Sequence, residues 1–129
     1  PNTTCIKRLR EFHHGLQEGS PLKIVTACGP FTTSDTTDYQ PFVDLMHVIM
    51  EQTPDLVILA GPFVDLRQDL VKEGKTTVEV DDDVHQTVSY EALFANRISG
   101  LLEEAFDDKE FNTHFVLVPS VEDAWAKCV

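Results

Sequence analysis

The five residues Leu56-Val57-Ile58-Leu59-Ala60 are apolar at every position and stop at Gly61-Pro62. A surface helix or a half-exposed strand needs polar residues at regular intervals, and this run has none. From Asp55 to Ala60 it therefore reads as a strand in a covered parallel sheet, with Pro54 closing whatever precedes it.

Two further runs are apolar over most of their length. Residues 22–28 are β-branched in their middle and meet Gly29-Pro30, and residues 113–118 meet Pro119-Ser120. Between the first two strands, Asp38 is placed to cap a helix with Pro41 in its first turn. Phe42, Leu45, Met46, Ile49 and Met50 share one face of it, through about residue 52. Before the third strand, Ser89 is placed to cap a helix that keeps Leu93, Ile98, Leu102 and Phe106 apolar. Gly100 weakens that helix by roughly 1 kcal/mol relative to Ala without ending it. Residues 66–88 have the weakest pattern and are expected to be an exposed loop with at most a short strand. Ile6, Leu9, Phe12, His13 and Leu16 predict a short leading helix over residues 5–18, broken by Gly19-Ser20-Pro21. The order strand, helix, strand, helix, strand defines an α/β chain, with parallel strands joined by right-handed crossovers and flanked by helices.

The chain has 129 residues, enough for one compact domain at most. Its opening at Pro1 reads as that of a fragment. No apolar run approaches the roughly 20 residues of a spanning helix, and none follows Lys7, Arg8 and Arg10 as a signal peptide requires, so no membrane partner is expected. The formal charge is −12. That works against direct nucleic-acid binding by this segment, because phosphate contacts draw on Lys and Arg. It suits contact with other proteins, basic ones in particular, and equally plain solubility. Cys5, Cys28 and Cys128 are widely spaced with no Cys-x-x-Cys. Reduced thiols in the cytosol or nucleus are expected, without structural zinc.

Ligands of open parallel sheets gather at the carboxyl ends of the strands. Three segments fall there: 28–38, 61–69 and 119–123. Two-metal phosphoesterases place a bridging carboxylate and imidazoles at such positions, holding cations about 3.5–4 Å apart. Their signature is Asp-x-His after one strand, Gly-Asp-x-x-Asp after the next and Gly-Asn-His-Asp/Glu after a third. Here Thr26-Ala27-Cys28-Gly29-Pro30 holds neither Asp nor His. Gly61-Pro62-Phe63-Val64-Asp65 has proline at the bridging position and keeps only Asp65. In Pro119-Ser120-Val121-Glu122-Asp123, Ser120 and Val121 stand at the Asn and His positions. Cys28, Gly29, Gly61, Pro62, Asp65, Ser120 and Asp123 thus outline a vestigial site, with no catalytic residue, metal or cofactor expected.

Ala27-Cys28-Gly29-Pro30-Phe31-Thr32-Thr33-Ser34-Asp35, then Gly61-Pro62-Phe63-Val64-Asp65, then Val118-Pro119-Ser120 with Asp123, resembles the B subunits of DNA polymerase alpha. The similarity covers about residues 22–65 and 113–123; residues 66–112 match only in layout. The Gly-Pro-Phe-Thr-Thr-Ser-Asp loop is its most specific part. The resemblance implies the βαβαβ half of a calcineurin-like phosphoesterase fold that has lost its metal site. Residues 1–20 would lead into it, and the later strands and the family's OB fold would lie outside this sequence. It further implies a non-catalytic scaffold in the nuclear polymerase alpha–primase complex at replication initiation. Its partners would be the C-terminal region of the catalytic subunit and, through the complex, the primase subunits. Two alternatives stand beside this: a B subunit of polymerase delta or epsilon, and an active metal-dependent phosphoesterase with a rearranged site using Asp65, Asp83 and His85.

Each singled-out residue also has a plainer reading. Asp83-Val84-His85 fits a solvated acidic loop. His13 and His14, adjacent on a helix, point apart. Cys28 has no evident base and reads as a small packed thiol. Asp65 and Asp123 can each cap a following turn, and Ser34-Asp35 can shape the Thr-rich loop. Alone, this segment is expected to leave apolar sheet surface uncovered and to associate.

Overall fold

The computed structural model describes residues 7, 10–11, 18–81, 84–108 and 111–124. The expected leading helix, His13, His14 and Asp83 lie outside this set, apart from residues 7, 10, 11 and 18 of the helix span.

The fold is α/β. Strands β1 (Ile24–Cys28), β2 (Leu56–Ala60) and β5 (His114–Val118) form a parallel sheet with β2 in the centre. Register runs in step, from Ile24–Leu56–His114 to Cys28–Ala60–Val118. All three strands therefore end in one row, and the segments that follow them start side by side.

Side chains alternate across a strand, and the sheet has two unlike faces. Val57 and Leu59 are fully buried, with Val25, Ala27 and Phe115 packed against the same core. On the opposite face Ile24, Val116 and Val118 are each nearly half exposed. The expectation of a sheet covered on both sides is thus corrected, because the described helices pack on one side only. Cys28, facing the open side, is exposed rather than a packed core thiol.

Helix α1 (Gln40–Gln52) buries Phe42, Met46 and Ile49, while Met50 turns to solvent. Its capping residue is Tyr39, in the left-handed region at φ 59°, one residue beyond the expected Asp38. The Asp38 carboxylate still serves that end, accepting from the Gln40 N–H at 3.2 Å and from Thr36 Oγ1 at 2.8 Å. Those two bonds, Thr36 first, hold its carboxyl below the usual range.

Residues 66–88 are more regular than their sequence predicts. They form a short helix α2 (Asp69–Lys72) and an antiparallel hairpin of β3 (Thr77–Asp81) and β4 (Val84–Thr87). The Val88 N–H and Thr76 carbonyl close the hairpin's base at 2.8 Å, and Thr76 Oγ1 adds a bond to the Val88 carbonyl.

Helix α3 (Tyr90–Phe94) starts as expected, with Ser89 Oγ accepting from the Ala92 N–H at 3.2 Å. A π-helical turn (Ala95–Ser99) joins it to α4 (Gly100–Asp107). The wider turn absorbs the five-residue step from Leu93 to Ile98, and both stay buried with Leu102 and Ala105. No described helix is long and apolar enough to cross a membrane. Phe31 stacks on Phe63 at 5.4 Å and meets Phe42 edge-on at 5.4 Å, and Phe63 meets Phe94 edge-on at 5.9 Å. These rings fasten the strand-end segments to the helical layer.

Candidate functional site

The strand-end segments approach one another closely because two positions lack a Cβ. A side chain on Gly29 would collide with the backbone oxygen of Pro62, and one on Gly61 would collide with the carboxylate of Asp123. The Gly29 N–H donates to the Ala60 carbonyl and the Gly61 N–H to the Val118 carbonyl, each at 2.8 Å, extending the ladder one residue beyond the sheet. The Gly29–Pro30 and Gly61–Pro62 peptides are both cis.

Asp123 is fully buried, and its carboxylate clasps two of the three segments. Oδ1 accepts from the N–H groups of Phe63 (2.6 Å) and Val64 (2.8 Å), and Oδ2 accepts from the Ser120 N–H at 2.8 Å. Backbone bonds reinforce the clasp, from Ala124 N–H to the Val64 carbonyl (3.0 Å) and from Leu66 N–H to the Glu122 carbonyl (3.1 Å). Ser120 turns its hydroxyl to the Glu122 N–H at 3.2 Å. Asp65 and Asp123 face each other across an isolated antiparallel bridge.

Asp65 is buried and engaged by one neighbour. Arg67 donates to it from its backbone N–H (2.9 Å), from Nε to Oδ1 (3.0 Å) and from Nη2 to Oδ2 (3.0 Å). Burial, the largest single influence, opposes the Asp65 charge. The Arg67 hydrogen bonds and charge together outweigh it and hold the carboxyl below its ordinary value. Tyr39 packs beside the clasp, fully buried, and donates to the Phe63 carbonyl at 2.6 Å. Burial raises its phenol far above the ordinary value, and the charge of Asp123 adds to that.

The Thr-rich loop forms one wall. Thr32 Oγ1 donates to the Thr36 carbonyl at 2.9 Å, and Gln68 Nε2 reaches the Thr33 and Thr36 carbonyls at 2.6 Å each. Between this wall and the Asp65–Arg67 pair lies an open cavity of about 360 Å³.

The sheet thus brings Gly29, Gly61, Pro62, Asp65, Ser120 and Asp123 together around one row of strand ends, with Cys28 at the row's edge on the open face. A two-metal centre does not fit these residues. Pro62 offers no ligand atom, and both oxygens of Asp65 and of Asp123 are already engaged by groups of the protein. Among the described residues no group of three or more His, Cys, Asp and Glu side chains is placed to hold a metal ion. His85 lies on β4 opposite Glu79, in the other sheet. Sequence reasoning missed Arg67 and Gln68. The available signal was a base two residues beyond Asp65, the spacing of an Asx-type turn.

The family model for the DNA polymerase alpha/epsilon B subunit matches residues 24–129. Among curated relatives, the DNA polymerase alpha B subunit of Mus musculus is 36% identical over 100 residues, covering 78% of this chain and 14% of the relative. The Drosophila melanogaster protein of the same name is 31% identical over 114 residues, covering 88% of this chain and 16% of the relative. That of Saccharomyces cerevisiae is 31% identical over 123 residues, covering 92% and 16%. The chain spans about a seventh of the length of these relatives. With its parallel sheet, its Gly-Pro strand ends and a family match over most of its residues, the chain belongs to the B-subunit family of DNA polymerases alpha and epsilon.

Proposed function

We propose that this chain is part of a non-catalytic B subunit of the DNA polymerase alpha–primase complex. In this reading it is a segment of a phosphoesterase frame whose metal site has become a structural clasp. The subunit acts in the nucleus as a scaffold for the C-terminal region of the catalytic subunit, with the primase subunits joined through the complex.

The fate of the two strand-end carboxylates carries the reading. A hydrolytic site would keep them open to cations and water. Here Asp123 is spent on three backbone N–H groups and Asp65 on one guanidinium. Such bonds rigidify the strand ends, which suits a platform that must present a fixed surface. The net charge of −12 supports contact with protein over direct contact with DNA.

The test is co-purification of the full-length protein with the C-terminal region of the polymerase catalytic subunit. Association that survives mild salt supports the proposal, and failure to associate when both partners are folded overturns it.

A further inference from the structure

We propose that the outer edge of β4 is a docking edge, where a basic extended segment of a protein partner adds a third strand to the β3–β4 hairpin. The inference rests on the scaffold reading above and names one contact of that scaffold.

The pairing decides which main-chain groups are left over. The Val88 N–H donates to the Thr76 carbonyl at 2.8 Å, so these two residues form a hydrogen-bonded pair. In an antiparallel ladder such pairs alternate with pairs that exchange no bond. Thr77–Thr87 and Glu79–His85 are therefore of the second kind, and their N–H and C=O groups point away from the neighbouring strand. On β3 one of these groups is taken, because the Thr77 carbonyl accepts from Thr37 Oγ1 at 3.2 Å. On β4 the outward groups of His85 and Thr87 have no strand beside them among the described residues. Nothing in β4 guards this edge. Proteins blunt exposed edges with Lys, Pro or a bulge. Val84-His85-Gln86-Thr87 holds neither Lys nor Pro, and the register shift places its extra residue on β3.

The side chains supply the second requirement of strand addition, contacts beside the main chain. All four β4 residues are exposed. Val80 and Val84 are each 54% exposed, whereas Val78, deeper in the hairpin, is buried. Charge then selects the occupant. Residues 76–96 contain five carboxylates, Glu79, Asp81, Asp82, Asp83 and Glu91, and no Lys or Arg. A second copy of this chain would bring the same acidic hairpin against itself, and like charges on neighbouring strands repel. A nucleic-acid backbone is refused for the same reason. A segment that alternates Lys or Arg with Val or Ile meets both demands, its bases attracted by the carboxylates and its apolar residues set beside Val80 and Val84. The four residues of β4 span roughly 13 Å, so a short segment suffices.

The test uses the full-length protein and three fluorescein-labelled peptides, measured by anisotropy. The first is Gly-Lys-Val-Lys-Val-Gly, and the second is its acidic counterpart Gly-Glu-Val-Glu-Val-Gly. The third repeats the first with every Lys and Val N-methylated, which keeps the charge and removes the main-chain donors. The first peptide is expected to bind about tenfold tighter than either control. Its advantage over the acidic peptide should shrink as salt rises, while its advantage over the methylated one should persist. Glu79→Lys reverses an exposed charge, and His85→Pro removes an N–H that points away from β3. Each should weaken binding by about fivefold or more at an unchanged melting midpoint. Equal binding of the first and methylated peptides overturns the proposal, because it marks charge attraction without an added strand. Equal binding of the acidic peptide, or undiminished binding by Glu79→Lys, overturns it as well. No binding to the full-length protein also overturns it, marking the edge as covered by another part of the chain or by a second copy. Co-purification with the catalytic subunit is scored separately. Partner association without peptide binding removes the docking edge alone, and peptide binding without partner association removes the scaffold reading.

Discussion

The carboxylate of Asp123 fills the space that a side chain on Gly61 would need. A Cβ there would run into Asp123 Oδ2 and crowd the Ser120 nitrogen at 2.9 Å. The glycine and the aspartate are therefore one device, in which the missing side chain lets the carboxylate reach three N–H groups.

Two alanine substitutions should act in opposite directions. Gly61→Ala must push the clasp apart and is expected to destabilise the protein by about 1–3 kcal/mol, the usual cost of overpacking. At Gly100 a Cβ meets only the Ala95 carbonyl oxygen at 3.5 Å, an ordinary contact. Gly100→Ala should therefore stabilise by about 0.5–1 kcal/mol through helix preference. Urea unfolding midpoints check both, and equal midpoints for the two variants would count against the clasp.

Asp123→Asn keeps the acceptor for Phe63 and Val64 but turns an NH₂ toward the Ser120 N–H. The expected loss is about 1–3 kcal/mol, the cost of one buried unsatisfied donor. Asp123→Ala leaves all three N–H groups without the carboxylate and should cost more. A denaturation series in which Asn matches wild type would show that the carboxylate is not needed.

The Asp65–Arg67 pair predicts a defined acid response. Because the folded-state pKa of Asp65 is lowered from 3.8, its contribution is present above that value and disappears as pH falls through the lower folded value. The stability difference between wild type and Asp65→Asn should thus be constant near neutrality and narrow only below about pH 4. Unfolding curves taken from pH 7 down to the lowest pH at which both proteins fold would show it. A gap that narrows between pH 7 and 5 would assign the linkage to another group.

The open sheet face predicts association of the isolated 129-residue segment. On that face Val116 and Val118 of β5, and Ile24 of β1 on the far side of the central strand, are 46–49% exposed. Sizing should show mass rising with concentration, and Val116→Lys should suppress the rise. A monomeric profile across the concentration range would refute this.

The elements visible in the sequence were those whose residues are apolar in blocks. β1, β2 and β5 fall inside the expected runs and begin one or two residues late, at Ile24, Leu56 and His114. Ser89 was legible because N-capping is a local interaction. The β3–β4 hairpin was not, since Val78 is its one buried hydrophobic side chain among the described residues and the pattern therefore carries little signal. Cys28 is exposed against expectation because Thr26, the one polar residue of β1 and on the same face, is too weak a signal of which face the helices will cover. Gln68 acts on carbonyls 32 and 35 residues away. Such a role depends on tertiary approach and leaves no trace in local spacing. That the strand ends lack the two-metal signature was legible in the sequence, whereas the bonds made by Asp65 and Asp123 needed coordinates.

Manganese titration of the full-length protein, followed by phosphodiester hydrolysis and melting midpoint, tests most directly whether the strand-end carboxylates have been withdrawn from metal chemistry. With both Asp65 oxygens on Arg67 and both Asp123 oxygens on backbone N–H groups, millimolar manganese should give no hydrolysis and leave the midpoint where it was. Manganese-dependent hydrolysis that vanishes in Asp65→Ala would contradict this and restore the strand ends as an active phosphoesterase site.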